Sequence, residues 1–166
     1  MDTGYVLGID PSLAETGIAS PHETYTIPTK TSDPARLDVI YTAVCVAATP
    51  REGCVLAVVE DLPTHAHGAG LTGMAQGVVR LALIHNSVPY ATVPAASLKK
   101  FATGKGNATK PDMRMELFKR TGLDLRNDNE VDAWWLRQIG LHLMEHPDRL
   151  TLPQTHLVAL EKVKRP

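Results

Sequence analysis

The sequence predicts an α/β fold, a mixed five-stranded sheet flanked by α-helices. Two patterns indicate it. Short apolar runs of strand length alternate with longer segments of helical periodicity along the 166 residues. In addition, three closely spaced strand patterns come first and favour an antiparallel meander, whereas the later strands are separated by helices, which favours parallel pairing.

The strands are predicted from apolar runs that end at turn residues. They cover residues 4–10, 16–20, 23–27, 54–60 and 88–93. The run from Cys54 to Val59 is apolar without interruption, as is typical of a strand that is buried on both faces of a sheet. Pro89 and Pro94 bound the last strand.

The helices are predicted where apolar residues recur every three or four positions. One such pattern opens at Asp33-Pro34 and continues to about Ala48, with Ile40 and Val44 on its apolar face. Further helices are predicted over residues 67–86, 95–102, 110–121 and 129–145, and a last one at about 153–164. This order of elements is that of the ribonuclease H-like fold, and we expect residues 1–166 to form a single domain.

Composition and charge restrict the class of protein. Hydrophobic residues make up 43% of the chain, and no apolar run approaches membrane-spanning length. The first residues lack the pattern of a secretion signal, so we expect a cytoplasmic protein with no membrane partner. The formal net charge of −1 does not indicate nucleic-acid binding, but one stretch is locally basic. Its cations are Lys99, Lys100, Lys105, Lys110, Arg114, Lys119 and Arg120.

Three acidic residues occupy positions that suggest a metal site. Asp10 and Glu60 each end an apolar strand, and Asp132 lies on a late helix. A carboxylate at the end of a buried strand is costly unless something pairs with it. If the two strands are neighbours, their carboxylates lie close together, and a divalent cation between them stabilises that arrangement. The pattern therefore predicts a magnesium-type site.

Short motifs surround these acids in a fixed order. They are Gly8-Ile9-Asp10-Pro11-Ser12 followed by Thr16-Gly17, then Val59-Glu60, and finally Asp132-Ala133. Between the last two, Lys99 and Lys110 stand eleven residues apart with a Gly-x-Gly turn between them. Together the motifs resemble the RuvC family of Holliday junction resolvases over most of the chain. The short chain and the loose agreement with the motifs suit a bacteriophage version.

The resemblance implies a homodimer that cuts two strands of a four-way DNA junction symmetrically. It also implies Mg²⁺ or Mn²⁺ held by four carboxylates, with two ions per active site roughly 4 Å apart. Asp10 would bridge the ions. Glu60 would bind one of them and help to orient the attacking water, and Asp132 would complete the shell of the other.

The resemblance also implies a role in DNA binding for the basic stretch. Lys99 and Lys110 match the family's basic positions and would bind the scissile and neighbouring phosphates. The alternative for each is a solvated surface lysine. Lys100 and Lys105 are further candidates for DNA contact.

The fourth carboxylate departs from the family pattern. The family has two aspartates spaced by three, but Asn129 stands three residues before Asp132, and Asp128 stands four before it. Positions four apart share a helix face, so Asp128 could be the fourth ligand. It could instead be an N-cap residue of the helix. Glu130 points away from Asp132.

Two other departures concern specificity and the first turn. Bacterial relatives carry an aromatic residue three positions after the strand-ending Glu, but this chain has Asp61-Leu62-Pro63 there. We therefore expect relaxed selectivity, extending from four-way junctions to forks and flaps. Ser12 replaces a glycine of the family and is small enough to allow the turn.

Glycines on the predicted helix 67–86 indicate close backbone approach. Gly73 and Gly77 cost helix stability, which a neighbouring backbone would explain. That neighbour is either the sheet of the same subunit or a partner subunit, since this helix lies at the dimer interface of the family.

Two alternatives to a DNA resolvase remain open from the sequence. One is an RNA-processing nuclease of the same fold, because carboxylates alone do not choose DNA over RNA. The other is a catalytically inactive nucleic-acid-binding module, against which the three acids on separate elements argue. A sugar-kinase-like or actin-like ATPase is excluded because it needs a duplicated domain, which 166 residues cannot hold.

Overall fold

The computed structural model describes residues 4–29, 34–49, 53–62 and 69–165, and five strands form one sheet in this part of the chain. The strands are β1 (Tyr5–Asp10), β2 (Glu15–Ala19), β3 (Thr24–Pro28), β4 (Cys54–Glu60) and β5 (Tyr90–Val93). Their order is β3-β2-β1-β4-β5. The first three strands pair antiparallel, whereas β1 with β4 and β4 with β5 are parallel. The predicted mixed sheet and its meander are confirmed.

Helices cover both faces of the sheet. They are α1 (Ala35–Ala47), α2 (Ala69–His85), α3 (Ala95–Thr103), α4 (Lys110–Thr121), α5 (Asp128–Leu143) and α6 (Gln154–Leu157), the last followed by a 3₁₀ turn (Val158–Lys162). The fifth strand starts later than predicted, because the Val88 N–H donates to Leu83 O and closes the end of α2 instead. The start predicted for α2, residue 67, lies outside the described residues.

The C-terminal helix predicted over about 153–164 forms as two short helical pieces and not as one continuous α-helix. Only one α-helical turn forms, and the 3₁₀ turn follows it. In a 3₁₀ turn, side chains three residues apart lie on the same side. Leu157, Leu160 and Val163 have that spacing, and all three pack against the hydrophobic core. Contact with the core thus favours the tighter helix over a continuous α-helix.

The sheet separates two hydrophobic clusters, as alternation along its strands requires. Val6 and Val58 point to one face, where they pack with α3, α4 and α5. Leu7, Ile9 and Val59 point to the other face, where they pack with α1 and α2. The central strands are therefore buried on both sides, as the uninterrupted apolar run of β4 predicts.

Helix α5 lies directly against β1 and β2. A Cβ atom added at Gly8 would collide with the backbone of α5 at Ala133 and Arg137, and one added at Gly17 would collide with Asn129 O. The two glycines therefore permit an approach that any other residue would prevent. This contact places the first two turns of α5 over the ends of the strands.

Within the part of the chain that the structure describes, no helix is long and apolar enough to cross a membrane.

We predict that Gly17→Ala destabilises the protein by about 1–3 kcal/mol, because a methyl group there must push α5 away from the sheet. Gly70→Ala is the matched control, since no described atom lies within 4 Å of a Cβ at that helical position. The control should be neutral or stabilising by up to about 1 kcal/mol. Urea unfolding of both variants measures the difference, and equal midpoints would contradict the close packing of α5.

Candidate metal centre

Asp10 and Glu60 meet at one edge of the sheet because β1 and β4 are parallel. Ile9 lies opposite Val59, so the next residue of each strand is one of the two acids. Since side chains alternate, both acids project to the face that carries α5. The juxtaposition expected from the strand ends therefore follows from the register.

The turn after Asp10 is closed by two hydroxyl side chains. Thr16 Oγ1 donates to Ser12 O at 2.7 Å, and Ser12 Oγ accepts from the N–H groups of Ala14 and Glu15 at 3.3 and 3.4 Å. Serine thus makes the turn with its own side chain, as expected for a small residue in place of glycine. The buried Thr16 fixes the direction in which the chain leaves Asp10.

Asp132 reaches the strand ends from the second turn of α5. Its helix is joined to α4 by the Trp135 indole, whose Nε1–H donates to Met113 O at 3.2 Å. Helix α4 begins at Lys110 with a capping box between Thr109 and Asp112. These contacts hold the first residue of α4 beside Asp132.

Asp10, Glu60 and Asp132 form a compact carboxylate cluster. One oxygen of each lies within 4.8 Å of the others. Asp10 is 8% exposed and Asp132 is 2% exposed, so this cluster is largely shielded from water. The structure therefore brings together the three acids that the sequence singles out.

Burial and mutual repulsion raise the pKa values of these acids. Burial, followed by the charges of Glu60 and Asp132, raises the pKa of Asp10 well above its usual range. Burial, together with the charge of Asp132, raises the pKa of Glu60 to about 7, against the opposing effect of Lys110 and Lys99. Burial also raises the pKa of Asp132, although Lys110 counteracts it. Each ionised form is therefore unfavourable until a cation joins the cluster.

Lys110 is the one cation in contact with the cluster among the described residues. Its Nζ donates to Asp132 Oδ2. Burial alone would lower the pKa of Lys110, but the charge and hydrogen bond of Asp132, with the charges of Asp10 and Glu60, raise it. The lysine therefore stays protonated, and an ammonium with three donors keeps two of them for another acceptor.

The other oxygen of Asp132 supports a metal site. Asp132 Oδ1 is buried and has no hydrogen-bond partner among the described residues. A buried acceptor without a partner is costly. Oxygen donors from three carboxylates are the set that Mg²⁺ and Mn²⁺ prefer, so the residues present fit a divalent ion. Asp10, Glu60 and Asp132 could hold it.

Asp128 lies close to this cluster but not in it. It is the first residue of α5, is exposed, and raises the pKa of Asp132 by its charge. The N-cap is Asn127, whose side chain accepts from the Asn129 N–H at 2.8 Å. The alternative role of Asp128 as the cap is therefore wrong, and its role as a fourth ligand stays a prediction.

The remaining predicted lysines lie on or after α3. Lys99 is partly exposed, and its charge lowers the pKa values of both Glu60 and Asp132. Lys100 is in the last turn of α3 and partly exposed. Lys105 is exposed in the turn before α4, where its charge acts on Asp112.

Solved structures with a similar backbone are RuvC proteins. Thermus thermophilus RuvC in complex with a Holliday junction substrate matches with a TM-score of 0.71 and 21% identity, over 85% of this chain and 96% of that chain. A further Thermus thermophilus RuvC structure matches with a TM-score of 0.69 and 22% identity, over the same shares. The chain has the RuvC fold. The expected ribonuclease H-like fold is thereby confirmed, although no protein-family model and no curated protein match the sequence.

On this RuvC fold, a group of polar residues near Glu60 was not anticipated from the sequence. Gln76 Nε2 donates to Glu60 O, and Arg80 Nη2 donates to Gln76 Oε1 at 2.8 Å and to Asp61 Oδ1 at 3.2 Å. Lys164 Nζ donates to Asp61 Oδ2 at 2.7 Å. The spacing of Gln76 and Arg80 on one helix face is a signal for their pairing, but nothing local connects them to Lys164.

We predict that Glu60→Gln stabilises the metal-free protein at pH 8. The pKa of Glu60 is about 7 in the folded state against an ordinary 4.5. Between these values the folded state keeps a proton that the unfolded state has lost, so stability falls as pH rises from 4.5 to 7. Glutamine does not ionise, so the variant does not lose this stability as the pH rises. The loss in the wild type corresponds to about 1.4 kcal/mol for each unit by which the pKa is raised.

Thermal unfolding with chelator at pH 5 and pH 8 tests this, with the exposed Glu161→Gln as control. The advantage of Glu60→Gln should grow with pH, and Mg²⁺ should stabilise the wild type at pH 8 but not the variant. A pH-independent difference would contradict the raised pKa.

Proposed function

We propose that this chain is a divalent-metal-dependent endonuclease that cleaves four-way DNA junctions and other branched DNA. One observation carries the proposal: the buried Asp10 and Asp132 and the partly buried Glu60, from three separate elements, converge within 4.8 Å at the strand ends of a RuvC fold. A non-catalytic module has no reason to maintain such repulsion. The similar Thermus thermophilus RuvC is bound to a Holliday junction substrate.

Phosphodiester hydrolysis needs an activated water and stabilisation of the leaving oxygen, which divalent ions supply when they are bound between carboxylates. In the proposal Asp10, Glu60 and Asp132 would hold the divalent ions, Asp132 through its unpartnered Oδ1. Glu60 would also accept a hydrogen bond from the attacking water.

Charge balance is compatible with two ions in the presence of substrate if Lys99 pairs with a neighbouring phosphate. Three ionised carboxylates with the Lys110 ammonium carry a net charge of −2, which one Mg²⁺ or Mn²⁺ balances. Asp128 and one phosphodiester each add a negative charge, which together balance a second ion. In this account Asp128 acts only when DNA is present.

Lys99 and Lys110 are the proposed phosphate contacts. Lys110 donates one hydrogen bond to Asp132, and in the proposal its other two N–H groups point towards the scissile phosphate. The lysine thus links the metal centre to the DNA. Lys99, on α3, acts on the same carboxylates through its charge. Lys100 and Lys105 extend the basic surface along the duplex arms, where contacts are independent of sequence. Pro63, which stands where relatives have an aromatic residue, lies outside the described residues, and relaxed selectivity stays a prediction.

The decisive experiment compares labelled four-way junction, replication fork, linear duplex and structured RNA, each with Mg²⁺, Mn²⁺ or chelator. We expect metal-dependent, paired nicks on the junction and weaker cutting of forks. Asp10→Asn should lower the rate at least about 100-fold, because a metal-bridging carboxylate contributes several kcal/mol. The exposed Asp38→Asn on α1 is the matched control.

Two further variants separate roles within the site. Asp128→Asn should lower the cleavage rate strongly if Asp128 is the fourth ligand, whereas Glu130→Gln should not. Lys99→Ala should weaken junction binding and reduce the salt slope of log K by about one unit. Binding without cutting under every metal would refute the nuclease, and cutting only RNA would assign the chain to RNA processing.

Symmetric cutting requires a dimer, and α2 offers the surface that we propose for it. Its outer face carries exposed Leu71, Met74, Leu81 and Ile84, which are 45–59% exposed. Cβ atoms at Gly73 and Gly77 would meet no described atom within 4 Å, so the described part of the same subunit does not account for these glycines. An apolar stripe with open glycines fits the close approach of a second copy.

We predict that Leu81→Glu converts a dimer into a monomer without unfolding it, because Leu81 is 45% exposed. Met115→Glu on α4, where the methionine is 52% exposed, is the control and should leave the dimer intact. Sedimentation velocity measures both. A wild-type monomer, or a dimer that survives Leu81→Glu, would contradict this interface.

A further inference from the structure

The C-terminal segment returns to the sheet beside the metal centre. After the 3₁₀ turn, Lys164 forms a two-way backbone bridge with Thr92 on β5, with both N···O distances 2.9 Å. Strand β5 is at the edge of the sheet, so this bridge covers part of an edge that would otherwise be open. Thr92 pairs with Val59 on β4, the residue before Glu60.

The same residue also contacts the chain directly after Glu60. Lys164 Nζ lies 2.7 Å from Asp61 Oδ2, and Arg80 Nη2 lies 3.2 Å from Asp61 Oδ1. The Asp61 side chain is only 18% exposed, and its Oδ1 also accepts the Leu62 N–H at 3.0 Å. A mostly buried carboxylate is thus held by two cations from different elements.

The main chain at Glu60 is fixed by the same group. Gln76, which is 2% exposed, donates to Glu60 O and accepts from Arg80. The Asp61 N–H donates to Val93 O at 2.7 Å. The peptide that carries the Glu60 side chain is therefore bound by α2, by β5 and, through Asp61, by the C-terminal segment.

We propose that Asp61, Arg80, Gln76 and Lys164 form a positioning clamp for Glu60, through which the C-terminal segment sets the divalent-ion affinity of the site. This rests on the proposed metal-dependent function. None of the four residues belongs to the cluster of carboxylates that could hold an ion. They act on the orientation of Glu60, and groups that orient a ligand are known to alter metal affinity strongly.

The stability of the fold depends little on the ion pair between Lys164 and Asp61, the outermost contact of the clamp. The Lys164 side chain is 71% exposed, and without it Asp61 keeps its contacts with Arg80 and the Leu62 N–H, so the loss of this ion pair costs little stability. A change in ion affinity without a matching change in folding therefore distinguishes positioning from a general structural role.

The test measures Mn²⁺ binding to the full chain by electron paramagnetic resonance of free Mn²⁺, without DNA. Lys164→Met should weaken binding about fivefold, less than the roughly 10–100-fold that follows the loss of a group bonded directly to a metal ligand. Lys164→Arg should retain most of the affinity. Lys162→Met is the matched control, because Lys162 is exposed on the 3₁₀ turn two residues earlier. Metal-free melting temperatures of the two methionine variants should agree.

A double-mutant cycle with Asp61→Asn strengthens the test. The two changes should be non-additive, because both remove the same ion pair. In cleavage assays Lys164→Met should raise the Mn²⁺ concentration for half-maximal rate while leaving the rate at saturating Mn²⁺ unchanged.

The outcomes separate this clamp from the function on which it rests. Equal Mn²⁺ affinity of Lys164→Met and Lys162→Met, with a wild type that binds Mn²⁺, would overturn the clamp alone. A wild type that binds no Mn²⁺ would overturn both the metal centre and the clamp. Additive effects of Lys164→Met and Asp61→Asn on Mn²⁺ affinity would overturn the clamp alone.

Discussion

The close contact of α5 with β1 and β2 is the constraint on which the candidate site depends. Aspartate has a short side chain, so Asp132 reaches the strand ends only if its helix backbone lies almost on the sheet. Gly8 and Gly17 allow this, because a Cβ at either position would collide with the backbone of α5. The glycines of the first two strands thus determine the position of an acid more than a hundred residues later in the chain.

The electrostatics of the cluster oppose folding unless a cation is present. The buried Asp10 and Asp132 and the partly buried Glu60 repel one another, and their partial or complete burial raises the pKa of each. Lys110 relieves this in part by pairing with one oxygen of Asp132, which leaves the other oxygen without a partner among the described residues. A cluster of this kind lowers the stability of the metal-free protein, and a divalent ion, which these residues could hold, would offset that loss.

The two faces of the sheet pack against different helices and lead to different candidate surfaces. The face under α5 carries the carboxylates, and α4 and α3 add Lys110 and Lys99 beside them. The opposite face packs against α1 and α2, whose outer surface holds the apolar stripe. Alternate residues of β1 and β4 face the core under α1 and α2 on one side, and on the other side they face the core under α5 and, at the strand ends, the carboxylate cluster.

The sequence by itself determined the order of the elements and the three central acids. Strand β4 and helix α4 have the bounds that the local patterns predict, because periodicity and the residues that start or end an element are local properties. Asp10 and Glu60 could be paired from the sequence because strand ends in a parallel sheet meet at one edge.

Only the tertiary structure decided which distant side chains meet. The pairing of Lys110 with Asp132 and the contact of Lys164 with Asp61 were not evident from any local pattern. The last of these joins residues 103 positions apart. Such contacts depend on how helices and strands pack in three dimensions, and local periodicity carries no information about that packing.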